Sequence, residues 1–447
     1  MQESLKDQSL EYHRDPIPGK IALKVTKPCS DQQELSLAYT PGVADPCLAI
    51  KDDPETVWSY TAKGNMVAVV SDGTAVLGLG NIGPEAGLPV MEGKAVLFKS
   101  FADIDAFPIC IKNVLGNDGK TDPAKVITVT EALEPTFGGI NLEDIGAPAC
   151  FEVETRLKQT MGIPVFHDDQ HGTAIISLAG VRNALEIVGK KLADVRIVVN
   201  GAGAAGIACI EFYISAGARR ENVVMCDSRG VIYRGRTEGM TPQKDALAAE
   251  TSARTLADAL VGADVFLGLS IGGAMDKAMV RSMAPGAVIL AMANPTPEIY
   301  PSDALEAGAA VVGTGRTDFP NQVNNVLGFP GIFRGALDVR ATDINEAMKT
   351  GAAQALAEIA RERVPTDIIP LLTKAYPEDA RNGMFDGESP LKPTYVIPKP
   401  FDPRVVPRVA RRVAQAAMET GVNRVEIPDL DAYEAELLQR LGRNLLG

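Results

Sequence analysis

The chain has 447 residues, 46% apolar and 23% charged, the make-up of an ordinary folded protein of two or three domain-sized units. Against 57 Asp and Glu it carries 44 Lys and Arg, and a net charge of −13 argues against nucleic acid or an anionic membrane as the main partner. Six scattered cysteines without a CxxC pair, a polar amino-terminal stretch and no run near the roughly 20 apolar residues of a membrane helix point to a soluble cytoplasmic chain with reduced thiols.

The first forty residues, with Pro16, Pro18 and Pro28 and little periodicity, read mostly as loop. MVAVVSD (66–72), TAVLGLG (74–80) and AVLFKS (95–100) read as short strands punctuated by glycine. Thr128–Phe137 has helical character, and GGINLEDI (138–145) alternates like a strand that ends in two acids. From about residue 160 the texture changes. A short strand at 163–166 and a helix at 173–189 lead into apolar runs at 196–200, 222–227, 264–270, 287–294 and 309–315. Helical stretches at 207–217, 254–262 and 275–283 separate several of them, the pattern of a parallel sheet covered on both faces. The end is helical again, at 341–362 and 402–421, the second with Asp402 as N-cap and Pro403 in the first turn. The expected fold class is therefore α/β. It comprises an N-terminal α/β unit (1–160), a Rossmann-like, doubly wound parallel-sheet unit (161–390) and a helical C-terminal tail (391–447).

The pattern GxGxxG occurs twice, at Gly78, Gly80 and Gly83 and again at Gly201, Gly203 and Gly206. A dinucleotide loop needs a strand before it and a helix after it, whose free N–H groups meet the pyrophosphate. Behind Gly206 runs IACIEFYISAG, a clean helix, then a strand closing on Asp227, 21 residues on, where an acid can bond the adenine ribose. Behind Gly83 come two prolines and two more glycines, a poor helix, although Asp103 follows twenty residues later. The loop Gly201, Ala202, Gly203, Ala204, Ala205 and Gly206 is thus the expected cofactor site, and the first copy needs its glycines for a close approach of backbone to ligand. Asp227 alone favours NAD. Arg229 beside it, with Ser228, Arg234 and Arg236 nearby, suits a 2′-phosphate, and the balance leans to NADP.

In IPVFHDDQHGT (163–173), Asp168 and Asp169 follow a short apolar strand, as Glu143 and Asp144 follow INL. Acids delivered to strand ends can converge on one hard cation, Mg²⁺ or Mn²⁺, which takes oxygen ligands. His167 and His171 are four apart, which suits zinc only on a helix; with Gly172 beside them they read as packing or supporting residues.

At this point AYTPGVADPC (38–47), TAVLGLGNIGPEAGLPVMEGKAVLFK (74–99), NLEDIGAPACFEVE (141–154), FHDDQHGTA (166–174), ANPTPEI (293–299) and NQVNNVLGFPGIFRGALD (321–338) are on view together. In that order they resemble the malic enzymes, of the shorter bacterial branch, over nearly the whole chain. The resemblance implies oxidative decarboxylation of malate to pyruvate and CO₂ with reduction of NADP or NAD and a divalent cation. It also implies that the unit 1–160 carries substrate and metal, that the tail packs back on it, and that the protein is a homodimer or larger. By the same resemblance Tyr39 matches the family's proton-donating tyrosine and Lys94 its catalytic lysine. Glu143, Asp144 and Asp169 match the metal-binding acids, and Asp168 a neighbouring active-site acid. Asn294 and Asn325 match amides that contact the substrate, Asn294 standing with the cofactor as well. Long eukaryotic members carry an arginine just before LGLG, where this chain has Ala75, so a charge for a substrate carboxylate must come from elsewhere. Some bacterial relatives continue into a phosphotransacetylase-like domain, and the sequence stops short of one, as a short form or a truncated piece.

The residue types suit those steps. Lys94 can take the C2 hydroxyl proton as hydride leaves for the nicotinamide, provided burial and a nearby cation lower its pKa. A divalent ion polarises the new carbonyl so that decarboxylation leaves an enolate, which Tyr39 protonates at C3. Two other readings stay open: a malolactic enzyme, releasing lactate, and a catalytically silent dinucleotide-binding sensor.

Overall fold

The computed structural model describes residues 4–76, 78–387 and 391–446. Strands β1 Met66–Ser71, β2 Asp105–Cys110, β3 Gly139–Leu142 and β4 Val165–His167 form a four-stranded parallel sheet in the order β2-β1-β3-β4. A second sheet contains β5 Ile197–Asn200, β6 Val223–Asp227, β7 Gly230–Val231, β8 Val265–Gly268, β9 Val288–Ala291 and β10 Val311–Thr314. Its order is β10-β9-β8-β5-β6-β7, parallel throughout except for the β6–β7 pair. Strands β5, β8, β9 and β10 are buried at every residue, as uninterrupted apolar runs with helices on both faces require. From β5 the chain moves one way to β6 and then returns to the other side at β8. The carboxyl end of β5 is the switch point of this doubly wound sheet.

Several expectations from the sequence are corrected. Residues 95–100 are not a strand but the last turns of a helix, Pro84–Ala102, that starts directly behind Gly83. Met91, Ala95, Phe98 and Ala102 recur at helical spacing on its buried face, and that burial outweighs the poor propensity of its glycines and Pro89. TAVLGLG is a loop: Asp72 Oδ1 accepts from the N–H and hydroxyl of Thr74 at 3.1 and 2.7 Å and turns the chain out of β1 (Leu77 lies outside the described residues). The strand actually present there, β2, has Pro108 within it and was not expected. The helix expected over 128–137 runs over Pro123–Glu131, and the amino-terminal stretch holds helices Leu5–Arg14 and Gln32–Ala38. Asp402 is not an N-cap; it holds Arg404 in a buried pair, and the helix begins at Val405.

One core runs through both sheets. It passes from Val67 and Phe98 through Ile176 and Val199 to Phe333 and Val409. The helix Asp168–Ile187 leaves β4 of the first sheet and packs on Ala204–Ser215 of the second, so the two halves share a rigid connector. Near the end, Phe329–Asp338 and Glu346–Arg361 both pack on Val405–Glu419, while Leu430–Leu446 lies against Pro84–Ala102. The contact with Val405–Glu419 is close because Gly335 has no side chain. A Cβ there would stand 2.4 Å from the carbonyl oxygen of Ala410.

Candidate active site

The carboxyl ends of β3 and β4 are neighbours, and each delivers two acids. Glu143 and Asp144 follow β3; Asp168 and Asp169 open the helix after β4. Asp144 stands at φ +54°, a left-handed conformation that aspartate tolerates better than most residues. One carboxylate oxygen from each of Glu143, Asp144 and Asp169 lies within 4.8 Å of the others, and the Asp144 N–H donates to Asp169 Oδ2 at 2.8 Å. Burial pushes the Glu143 carboxyl well above the usual range; Asp169, Asp168 and Asp144 push the same way, against the pull of Lys94. Three convergent carboxylates that repel one another in a buried place are a donor set for a hard divalent cation such as Mg²⁺ or Mn²⁺, whose charge removes the repulsion.

Lys94 projects from Pro84–Ala102 into the same spot. Its Nζ lies 2.6 Å from Asp168 Oδ2 and 2.8 Å from Glu143 Oε1, and 4.2 Å from the ring centre of Phe329. Burial acts to lower its pKa, but Asp168 and Glu143 more than offset this, and the net shift is upward. The expected fall is therefore not a property of the chain alone. Asp168 is fully buried, and Gly172 one turn on is there to admit it: a Cβ would come within 2.2 Å of Asp168 Oδ1. Gly172, counted against a helix in the sequence, sits inside one because the carboxylate needs its space. Asn325 Oδ1 accepts from the Thr173 hydroxyl at 3.1 Å and closes the wall beside it.

These groups face an open cleft of about 910 Å³ that also takes in Asn294, Gly203 and Ala204. Gly203 is the N-cap of Ala204–Ser215, with open space where a Cβ would be, so a phosphate can approach its backbone and the helix end. Gly201 is at φ +126°, and a Cβ on Gly206 would lie 1.8 Å from Gly201 oxygen, so both must be glycine. Gly201, Ala202 and Gly203 also wall a second cleft, of about 630 Å³, with Asp227 and Arg229. A dinucleotide laid across the loop would thus have its nicotinamide beside Lys94 and its adenosine in the second cleft. The first glycine copy is built differently. Gly78 packs on the Asn294 carbonyl, loop against loop, while Gly80 and Gly83 stand at positive φ, +75° and +79°, with open space where a Cβ would be.

The cationic groups of the second cleft differ from the sequence reading. Arg236 is buried and donates from Nη2 to both carboxylate oxygens of Asp227 at 2.8 Å, and Arg234 pairs with Glu250. Arg229 lines the cleft and reaches Glu238 at 2.6 Å. Lys244, overlooked because it lies 17 residues downstream on its own short helix, lines the cleft and bonds Asp227 Oδ2 at 2.8 Å. Asp227, held below its usual pKa by Lys244 and Arg236 despite burial, faces the pocket already saturated with cations.

Neither His167 nor His171 joins the three convergent acids, although His167 Nδ1 lies 3.7 Å from Asp169 Oδ2. His171 Nε2 donates to both oxygens of Glu154 at 2.9 Å, its Nδ1 accepts from Lys349 at 3.1 Å, and this buried network pins Glu346–Arg361 behind the site. Tyr39 is not in the cleft of its own chain. It follows Gln32–Ala38 and is 71% exposed.

Residues 18–158 match the model of a malic enzyme N-terminal domain, and residues 170–377 that of a malic enzyme NAD binding domain. The NADP-dependent malic enzyme of Rhizobium meliloti is 54% identical over 97% of this chain, which spans 54% of that relative. The bifunctional malic/malolactic enzyme of Bacillus subtilis is 54% identical over 96% of this chain and 97% of its own. Thus the chain spans about half the length of the first relative and nearly all of the second. The crystal structure of a malic enzyme from Pyrococcus horikoshii superposes with a TM-score of 0.85 at 42% identity, covering 98% of this chain and 96% of that one.

Proposed function

The chain belongs to the malic enzyme family, and from that premise we propose that it oxidatively decarboxylates malate to pyruvate and CO₂ while reducing NADP⁺. The observation that carries this reading is the placement of the Lys94–Asp168 pair, 2.6 Å apart, beside the acids Glu143, Asp144 and Asp169 in the cleft that Gly203 also lines. Asp168 positions the Lys94 ammonium and takes a proton from it, and the amine so freed removes the C2 hydroxyl proton as hydride passes from C2 to the nicotinamide. Glu143, Asp144 and Asp169 would hold Mg²⁺ or Mn²⁺, which when bound offsets their charge and polarises the C2 oxygen. Asn294 and Asn325 orient the substrate at the cleft wall. Decarboxylation leaves an enolate whose C3 must be protonated, the role of Tyr39.

That role requires a second copy of the chain. Tyr39 and the exposed apolar side chains that precede it in the chain (Ile21, Leu23, Val25, Leu35 and Leu37) belong to an N-terminal stretch with no buried residue in Gln32–Ala38. In a homodimer the partner subunit's Tyr39 completes the cleft. NADP is the better fit of the two cofactors because Lys244 and Arg229 line the adenosine cleft and Asp227 is already paired. The division into 1–160, 161–390 and 391–447 and a cytoplasmic location complete the proposal. Among the described residues no helix is long and apolar enough to cross a membrane.

The test is to mix protein, malate and Mn²⁺ with NADP⁺ or NAD⁺, follow reduced nicotinamide by absorbance, and identify the organic acid. Equal amounts of NADPH and pyruvate are expected. Lactate without net NADPH would identify the malolactic activity that the Bacillus relative's name includes. Neither product would leave a silent dinucleotide-binding sensor.

A further inference from the structure

With a divalent ion in place, Glu143, Asp144, Asp168 and Asp169 against Lys94 and that ion leave the centre with one net negative charge. Oxidised nicotinamide only cancels it. Malate enters as a dianion, so its binding calls for a further cation at the cleft wall. Position 75, in the loop facing Lys94, carries only a methyl group.

One other lysine lines this cleft. Lys20 comes from the amino-terminal strap, which is fastened to Pro84–Ala102, the helix that bears Lys94: the Lys20 N–H donates to Glu92 Oε2 at 3.0 Å. Its Nζ donates to the Pro89 carbonyl at 2.7 Å and to His13 Nε2 at 3.0 Å. The other ring nitrogen of His13 donates to Ser9 oxygen at 2.7 Å, which turns Nε2 towards the Lys20 amine as its acceptor. Gly93, the residue before Lys94, opens the space beneath, where a Cβ would stand 3.5 Å from Lys20 Nζ. No carboxylate pairs with this amine within 4 Å among the described residues, so two of its three N–H groups serve neutral acceptors and the third is directed by none. Lys94, in contrast, is occupied by Asp168 and Glu143. Burial lowers the Lys20 pKa, against Glu92, as expected of an ammonium awaiting an anion.

We infer that Lys20, held by His13 and the Pro89 carbonyl, is the substrate-binding residue that takes a carboxylate of malate at the wall of the cleft that the acid cluster also lines. The inference rests on the activity proposed above. It adds that the strap over residues 13–20 belongs to the substrate site, and that specificity for a dicarboxylic hydroxy acid over a monocarboxylic one comes from Lys20.

The experiment compares Lys20→Met and Lys20→Arg with the natural protein in steady-state kinetics, varying malate at saturating NADP⁺ and Mn²⁺, then NADP⁺ at saturating malate. Removing a charge-assisted contact should raise KM for malate roughly ten- to a hundredfold in Lys20→Met. KM for NADP⁺ should stay within about twofold, and kcat should fall far less than KM rises. Lys20→Arg should recover most of the malate affinity, a rescue that a purely structural lysine would not give in KM alone. A Lys20→Met enzyme with unchanged KM for malate overturns the inference, and so does an equal rise in both KM values. Should the natural protein itself fail to oxidise malate, the proposed activity falls first, and that result is distinct from either of these.

Discussion

Replacing Lys94 by methionine tests chemistry and stability at once, and the structure sets the size of both effects. The amine is 9% exposed and bonds two buried carboxylates, Asp168 at 2.6 Å and Glu143 at 2.8 Å. Removing one partner of a buried pair leaves an uncompensated charge, at a cost of about 3–5 kcal/mol. In Lys94→Met that loss should appear in chemical denaturation of the metal-free protein, because Asp168 is then buried without its ammonium. A double variant, Lys94→Met with Asp168→Asn, should recover part of the stability, since one of the two stranded carboxylates is gone while Glu143 remains. Neither variant should recover turnover. Loss of a general base typically lowers kcat by about 10²–10⁴, while NADP⁺ binding, measured by titration, should be unaltered because the loop at Gly201–Gly206 is untouched. Near-normal turnover in Lys94→Met would remove the lysine from the mechanism. If the double variant were no more stable than the single one, the buried pair would not be the source of the stability effect.

The remaining expectations concern metal, cofactor, fold and assembly. Chelation by EDTA should abolish NADPH formation and Mn²⁺ or Mg²⁺ restore it; restoration by Zn²⁺ alone would point away from the oxygen cluster to His167 and His171. Lys244→Gln should raise KM for NADP⁺ roughly tenfold or more and barely move that for NAD⁺, whereas parallel changes would remove Lys244 from 2′-phosphate recognition. Glu154 is held down to about 2, burial being outweighed by His171, His167 and Lys349, so it stabilises the fold above the ordinary carboxylate pKa of 4.5 and ceases to as pH falls towards 2. A shift of that size is worth about 3 kcal/mol. Glu154→Gln should therefore be less stable by that order at neutral pH, with the gap closing below pH 4.5 as Glu154 of the unfolded chain takes up a proton; a gap independent of pH would refute the charge as its cause. Finally, mixing Tyr39→Phe with Lys94→Ala subunits should regenerate activity, because the mixed dimer has one cleft with both residues intact. No recovery despite proven subunit exchange would place Tyr39 in its own chain's site.

Much of the site was legible along the chain. Apolar runs that end in Glu143–Asp144 and Asp168–Asp169 already say that acids stand at strand ends, because a parallel strand buried on both faces can carry its charges only beyond its last residue. The helix behind Gly206 was legible as well, as an apolar run, whereas the one behind Gly83 was hidden by its glycines and Pro89. The amino-terminal half was harder. AVLFKS reads equally as strand or helix, and only packing against Phe329 and Phe333, whose rings lie 4.7 and 5.2 Å from Phe98, decided for helix.

The sequence by itself determined the fold class, and local periodicity and residue chemistry pointed to the glycine loop before an apolar helix and to acids at strand ends. Tertiary structure alone decided which charges meet. Lys94 and Asp168 are 74 residues apart, Lys20 and Pro89 are 69, and Lys244 reaches Asp227 across 17. The order β2-β1-β3-β4 likewise sets Glu143 beside Asp169, which no spacing announces. A charge's effect falls off over a few ångströms of space, not over positions in the chain, so its partners exist only once the sheets and helices have closed around it.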